Sequence, residues 1–225
     1  MPRPASRMIC ALAVVAAASL ALSGRAQSRE LTPSGVSVDV GIEQNVDSSV
    51  TQADDGPGTA SRSGHLDANL LANVGDLAFG AGIAFAPNVL GNGRLLVGGR
   101  AGWQPLFGRN RVHFLGEAGV DRFEDVGGNF FGSSTPSVFE TPYAGADVGV
   151  TRSFGRSPIE YGLSVHLRQD LEQQTVVHTQ GGIALLGSAL EPVVTQYTLG
   201  GTMVGVTLTI GLRAESHGTA PVATD

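Results

Sequence analysis

Leu199 to Arg213 reads LGGTMVGVTLTIGLR. From Val204 onward it alternates without a slip. Val204, Val206, Leu208, Ile210 and Leu212 fall on one face; Gly205, Thr207, Thr209, Gly211 and Arg213 fall on the other. Successive side chains of an extended chain point to opposite sides, so this is a β-strand with one greasy and one polar face. Segments of the same kind recur along the chain, each about ten residues long.

Seven more can be marked out, giving eight strands. In the first, Val36, Val38, Val40 and Ile42 alternate with Ser37, Asp39, Gly41 and Glu43. The second sets Leu66, Ala68, Leu70, Ala72 and Val74 against Asp67, Asn69, Leu71 and Asn73. Gly75-Asp76 then makes a tight turn into Phe79, Ala81, Ile83 and Phe85. The fourth greasy face carries Leu95, Val97 and Trp103, and the fifth Val112, Phe114 and Val120. The sixth carries Ala144, Ala146, Val148 and Val150, and the seventh Ile159, Tyr161, Leu163, Val165 and Leu167. Residues 45–64, 124–139 and 173–198 are long connections, and the last of these contains IALLGSAL over 183–190, which fits a hairpin rising past the membrane, a short helix or part of two further strands, the hairpin being favoured. Every second connection is short: Gly75-Asp76, Pro105 to Asn110, and Gly155 to Pro158.

The N-terminus sets the compartment. Arg3 and Arg7 precede an uncharged, mostly apolar run from Met8 to Leu22, and Gly24 and Ala26 supply small residues for cleavage after Ala26. Residues 1–26 therefore read as a secretory signal peptide. The run is shorter than the ~20 residues a spanning helix needs. Cys10 is the only cysteine and would leave with the peptide, so the exported chain has no disulfide. No later apolar run is long enough for a transmembrane helix. Residues 27–34 form a short polar lead and 214–225 a polar tail around a domain spanning 35–213. The formal charge is −6, all 14 basic residues are Arg, and no basic run is present, which argues against a nucleic-acid partner.

Which face meets water follows from the side-chain types. None of the greasy positions is charged, whereas the opposite faces carry Asp39, Glu43, Asp67, Arg94, Arg100, Glu117, Asp121, Asp147, Glu160, Arg168 and Asp170. A soluble sandwich or a lipocalin-type barrel also alternates, with its greasy faces inward. Yet the polar faces here are crowded with Gly and Ala. An outer, wet face has no need of small residues, whereas the interior of a small closed barrel does. The alternation of short and long connections is that of a membrane barrel. Phe79, Trp103, Phe114 and Tyr161 fall near the short-turn end on the greasy side, as an aromatic girdle would. The fold class is all-β: an eight-stranded antiparallel up-and-down transmembrane barrel with both termini periplasmic.

Signal peptide, eight amphipathic strands, short inner turns and longer outer connections together resemble the small outer-membrane barrels of Gram-negative bacteria, the OmpA/OmpX-like group. The resemblance covers about residues 35–213 and is one of pattern. It implies outer-membrane localisation, contact with outer-membrane lipids, and delivery by the barrel-assembly machinery. Chains of that group usually end on an aromatic residue in the last strand. This strand ends on Leu212-Arg213 instead.

The inward polar residues define the candidate site: a lumen network of Asp39, Arg94, Arg100, His113, Glu117, Asp121, Asp147, Glu160, His166 and Arg168. A regular hairpin over Pro105 to Asn110 places Arg100 near Leu115 and Glu117 near Gly98, one diagonal apart, with Arg100 shared among carboxylates and Asp147 at similar depth. His113 and His166 have acidic neighbours but match no metal-ligand spacing, and no cofactor is implied. Asp54-Asp55 and Glu124-Asp125 lack the regular spacing of a calcium loop. Some outer-membrane barrels are lipid A deacylases with a His-x-Ser pair; here the residues two after each His are Asp67, Leu115, Arg168, Gln180 and Thr219. Neither Gly-x-Ser-x-Gly nor a phosphate loop occurs, so the chain is read as a non-enzyme. An interior of eight strands is just wide enough to be filled by side chains. This leaves a structural or surface-interaction barrel whose outer loops take an unknown ligand. A small channel, and after it an envelope lipid-modifying enzyme, are the alternatives.

Overall fold

A computed structural model of the chain describes residues 29–30, 33–47, 50–52, 61–86, 93–124, 138–155, 157–180 and 193–215. Eight long strands carry the fold: β1 (Gly35–Asp47), β2 (Ser61–Val74), β3 (Leu77–Ala86), β4 (Gly93–Trp103), β5 (Asn110–Glu124), β6 (Val138–Ser153), β7 (Ile159–Asp170) and β8 (Thr202–Glu215). Each pairs antiparallel with the next, and β8 pairs back onto β1, which closes the sheet. Closure leaves no unpaired edge among these strands, so all their backbone N–H and C=O groups can be satisfied within the sheet.

The register fixes the shape. Stepping across paired residues from Val36 through Ala72, Phe79, Ala101, Gly116, Ala146, Leu167 and Val204 returns to β1 at Val46, ten residues further along. A stagger of ten over eight strands, with ordinary strand spacings, tilts the strands by roughly 40° and gives a barrel radius of roughly 8 Å. The greasy positions of β8 from Val204 to Leu212 then span about 20 Å along the barrel axis, close to the ~25 Å apolar band of outer-membrane barrels.

The molecule is inside out relative to a soluble protein. Val36, Val38, Val40, Ile42, Leu70, Phe79, Leu163, Leu208 and Ile210 are all more than two-fifths exposed, whereas Glu43, Asp121, His166 and Arg168 are no more than 2% exposed. Among the described residues, buried polar side chains outnumber buried apolar ones, the reverse of a water-soluble core. An apolar belt of this size has to be covered, and a bilayer covers it on all sides. Among the described residues no helix is long and apolar enough to cross a membrane.

Three turns lie at one end, together with the start of β1 and the end of β8. Gly75-Asp76 joins the Val74↔Leu77 pair, with Gly75 at φ +59°. That left-handed conformation suits a two-residue hairpin turn and costs glycine nothing. Gly108-Arg109 joins the Phe107↔Asn110 pair, and residues 154–158 join β6 to β7. The longer connections lie at the other end. There Gln174–Gln180 pairs with Val193–Leu199, which pairs with Val50–Gln52, forming a small three-stranded sheet beyond the barrel. The arms of the expected hairpin over 173–198 are therefore present, while its crest, 183–190, lies outside the described residues.

Several boundaries differ from the sequence expectation. β1 continues to Asp47, β2 begins at Ser61 and β6 begins at Val138, so the connections 45–64 and 124–139 are shorter than expected. β8 runs through Ala214 and Glu215, taken above as tail, because both still have partners in Val36 and Gly35. Within the polar lead, Arg29–Glu30 forms a short strand against Leu106–Phe107. Periodicity fades where both faces turn polar, yet pairing persists past the membrane zone because a neighbouring strand offers hydrogen bonds. Val112, greasy and outward by parity, is 7% exposed; its N–H donates to the Pro105 carbonyl where the β4–β5 connection folds back. The expected signal peptide, residues 1–26, lies outside the described residues.

Candidate functional site

The inward side chains stack in tiers down the lumen. Nearest the long connections, Arg94 on β4 binds Asp121 on β5, with its Nε 2.9 and 3.0 Å from the two carboxylate oxygens. Its Nη2 also lies 3.5 Å from Asp170 of β7, and its guanidinium sits 4.6 Å from the centre of the Phe123 ring. Asp170 accepts the Gly201 N–H at 2.9 Å, which ties the last strand's approach to this tier. Ala84, Leu96, Tyr143 and Met203 pack together as a small apolar layer inside the barrel.

The central tier turns on Arg168. Its Nη1 donates to both oxygens of Glu43, at 2.8 and 2.9 Å, and its Nε to Glu117 at 2.5 Å. Glu117 is also 3.2 Å from Nε of Arg100. Glu43 has Asn45 donating to it at 2.6 Å, and the rings of His65 and His166 lie 3.4 and 3.3 Å away. His166 and Asn45 meet at 2.8 Å. Charge-assisted bonds of this kind are strong when dry, and both Glu side chains are fully enclosed.

Two inward glycines explain why the polar faces are so small. A Cβ on Gly145 would lie 2.9 Å from the Glu117 carboxylate, and one on Gly205 would lie 2.5 Å from the His166 ring. Arg168 pairs with Gly145 across the β6–β7 ladder, and Gly145 pairs with Glu117 across the next. The bare position lets Arg168 reach over an intervening strand to Glu117.

Below this, Asp147 accepts from His113 at 2.7 Å and from Ser164 at 3.2 Å. Asp39 and Asp67 both accept from Nδ2 of Asn69, at 2.8 and 3.0 Å. Leu71, Ala78 and Leu115 form a second apolar layer. At the short-turn rim, Arg111 lies 3.4 Å from Glu160 and bonds Glu215, while Arg213 bonds Glu215 at 3.1 Å and Asn73 at 3.1 Å. Asn73 in turn donates to Gln104 at 2.6 Å.

The ten residues singled out in the sequence lie on the inner side of the sheet, in five separate contact groups. Three details differ from the expectation. Arg100 stands directly opposite Glu117, not one diagonal away. The turn centres on Gly108-Arg109, one residue later than assumed, which moves the register by two. The shared cation is Arg168, and Asp147 joins His113 instead of Arg100. Sequence reading left Glu43, His65, Asn45 and Asp170 out of the set, although Glu43 and Asp170 stood on the polar faces. Nothing in a strand's own pattern says that β7 and β1 residues converge across β8. Among the described residues no cluster of three or more His, Cys, Asp or Glu side chains is arranged to hold a metal.

A closed barrel of eight strands with a ten-residue stagger, a lipid-compatible exterior and a charged interior is a small transmembrane β-barrel of the outer-membrane type. OprG from Pseudomonas aeruginosa superposes with a TM-score of 0.53 at 13% identity, over 82% of this chain and 98% of that one. Neisserial surface protein A superposes with a TM-score of 0.50 at 8% identity, over 81% of this chain and 98% of that one. The likeness is one of fold. No protein-family model matches the chain, and no curated protein matches it.

Proposed function

We propose that the chain is an exported outer-membrane barrel whose lumen is closed by side chains and whose role is carried by its long connections. Both chain ends and the short turns face the periplasm in this reading; outer-membrane lipids surround the belt, and the barrel-assembly machinery inserts it. The observation that carries it is the Glu43–Arg168–Glu117–Arg100 chain of contacts, at 2.5 to 3.2 Å, which crosses the lumen in a layer with almost no exposure. Moving a hydrated ion past that layer would require breaking buried, hydrogen-bonded charge pairs, at a cost of several kcal/mol. The three-stranded extension beyond the barrel supports a role at the long-connection end, where a surface ligand would bind.

Two measurements test this reading. Membrane fractionation of expressing cells should place the protein with the outer membrane, extractable only with detergent and migrating differently on a gel when unheated. Recovery in salt buffer as a soluble periplasmic protein would refute the location. In planar bilayers the purified barrel should show no sustained conductance. A large steady conductance would refute the closed lumen and favour a channel.

A further inference from the structure

Closure removes the edges of the barrel, but the small sheet beyond it keeps one. The hairpin of β7 and β8 runs on past the rim. Asp170 donates its N–H to the Gly201 carbonyl, and pairing resumes from Gln174↔Leu199 to Gln180↔Val193. On its other side this chain stays tied to β6 through Leu171, whose N–H donates to the Pro142 carbonyl, and Glu172, whose N–H donates to the Thr141 hydroxyl. Beyond that point, among the described strands, Gln174–Gln180 pairs with Val193–Leu199 alone and is the outermost strand of its sheet. Its seven residues, about 23 Å of extended chain, present one row of backbone donors and acceptors to no described strand.

Natural sheets blunt such an edge with charge, proline or a bulge. This strand reads QTVVHTQ and contains no Asp, Glu, Lys, Arg or Pro. It is also nearly its own reverse. About Val177, Gln174 matches Gln180 and Thr175 matches Thr179, and only Val176 and His178 trade places. An isologous contact between identical chains sets residue i opposite residue j and j opposite i. An antiparallel pair centred on Val177 meets that requirement with Thr opposite Thr and Gln opposite Gln. It opposes no like charges, although the chain as a whole carries −6. The one titratable residue, His178, stands opposite Val176 and not opposite its own copy.

We propose that this edge pairs with the same edge of a second copy of the chain, antiparallel and centred on Val177, so that two three-stranded sheets become one of six strands. The strand leads away from the barrel. Antiparallel pairing therefore sends the two barrels to opposite ends of the joint sheet, and the two copies sit in facing membranes. This deepens the surface role proposed above and rests on the outward placement of the long connections. A seven-residue strand pair is smaller than a standard protein interface, so contact between two surfaces uses many copies at once.

The test uses the chain beginning at Gln27, which holds no cysteine of its own. In detergent micelles under mild oxidation, Val177→Cys should cross-link into a dimer, because opposed Cα atoms lie about 4.5–5.5 Å apart. Gln174→Cys should not, since its own copy lies six positions away, roughly 20 Å, whereas Gln174→Cys/Gln180→Cys should. Micelles have no inner or outer side, so this result stands or falls separately from the membrane fractionation. The second readout is clustering of phosphatidylcholine vesicles carrying the protein. The parent should cluster them. Thr175→Lys/Thr179→Lys opposes like charges and should abolish clustering, while Thr175→Lys/Thr179→Glu opposes Lys to Glu and should restore it. Both variants change the same two positions, and gel mobility of unheated samples checks that the barrel has folded. Absence of a Val177→Cys dimer, equal cross-linking of Gln174→Cys, or clustering by the Lys/Lys variant as strong as the parent's would each overturn the inference. So would capture of a different envelope protein by Val177→Cys in expressing cells in place of a second copy.

Discussion

Replacing Arg168 with Met keeps much of the volume and removes the charge on which the central tier depends. At a charge separation near 4 Å and an effective dielectric near 20, each Arg168–carboxylate attraction is about 4 kcal/mol before desolvation is subtracted. Removing one partner of a buried pair costs about 3–5 kcal/mol, because the other charge stays behind in a dry site. The two carboxylates are not equivalent. Glu117 keeps Arg100 at 3.2 Å, whereas Glu43 is left with Asn45 and the two imidazoles. Arg168→Met should therefore cost about 3–5 kcal/mol, mostly through Glu43. Adding Glu43→Gln should recover most of that loss, and adding Glu117→Gln should recover much less. The assay is urea unfolding in detergent, followed by Trp103 emission and by gel mobility of unheated samples. Independent sites add to within about 0.5 kcal/mol, so a coupling well above that is required for Arg168 and Glu43. Additive losses, or equal rescue by the two Gln substitutions, would refute this account of the lumen.

Three further outcomes follow from the facing of the strands. Leu208 sits mid-strand between Ile42 and Leu163 and is 65% exposed, so Leu208→Arg should cost about 2–4 kcal/mol in a bilayer and impair assembly. Gln44→Arg, on the same face near the rim, should cost under about 1 kcal/mol; equal tolerance at the two sites in a folding assay would contradict the facing. A Cβ on Gly98 would meet the Tyr143 hydroxyl and lie 2.7 Å from the Ala118 carbonyl, whereas one on Gly99 would meet nothing closer than 3.8 Å. Gly98→Ala should thus destabilise by about 1–3 kcal/mol while Gly99→Ala is nearly neutral, as checked by urea midpoints. Trp103 is the single Trp, stacked 5.9 Å from Phe114 on the outward face at the short-turn end. Its emission should be quenched more by lipids brominated near the headgroup than by lipids brominated at the bilayer centre; the opposite order would place the girdle at the wrong depth.

The alternation in VGVTLTIGLR and its seven counterparts determines the strands, their greasy faces and, with the short turns, the antiparallel barrel. Those features are local: a period of two and a turn residue are written in consecutive positions. The charged residues on the polar faces, Arg100, Glu117 and Arg168 among them, were legible as lumen residues for the same reason. Their partners were not. Arg100 faces Glu117 directly because the β4–β5 turn centres one residue later than a regular reading of its sequence suggests. Glu43 and Arg168 meet because the sheet closes with a ten-residue stagger that lifts β1 past β8. Register and closure are properties of all eight strands together, so only the tertiary structure decides which inward charges touch.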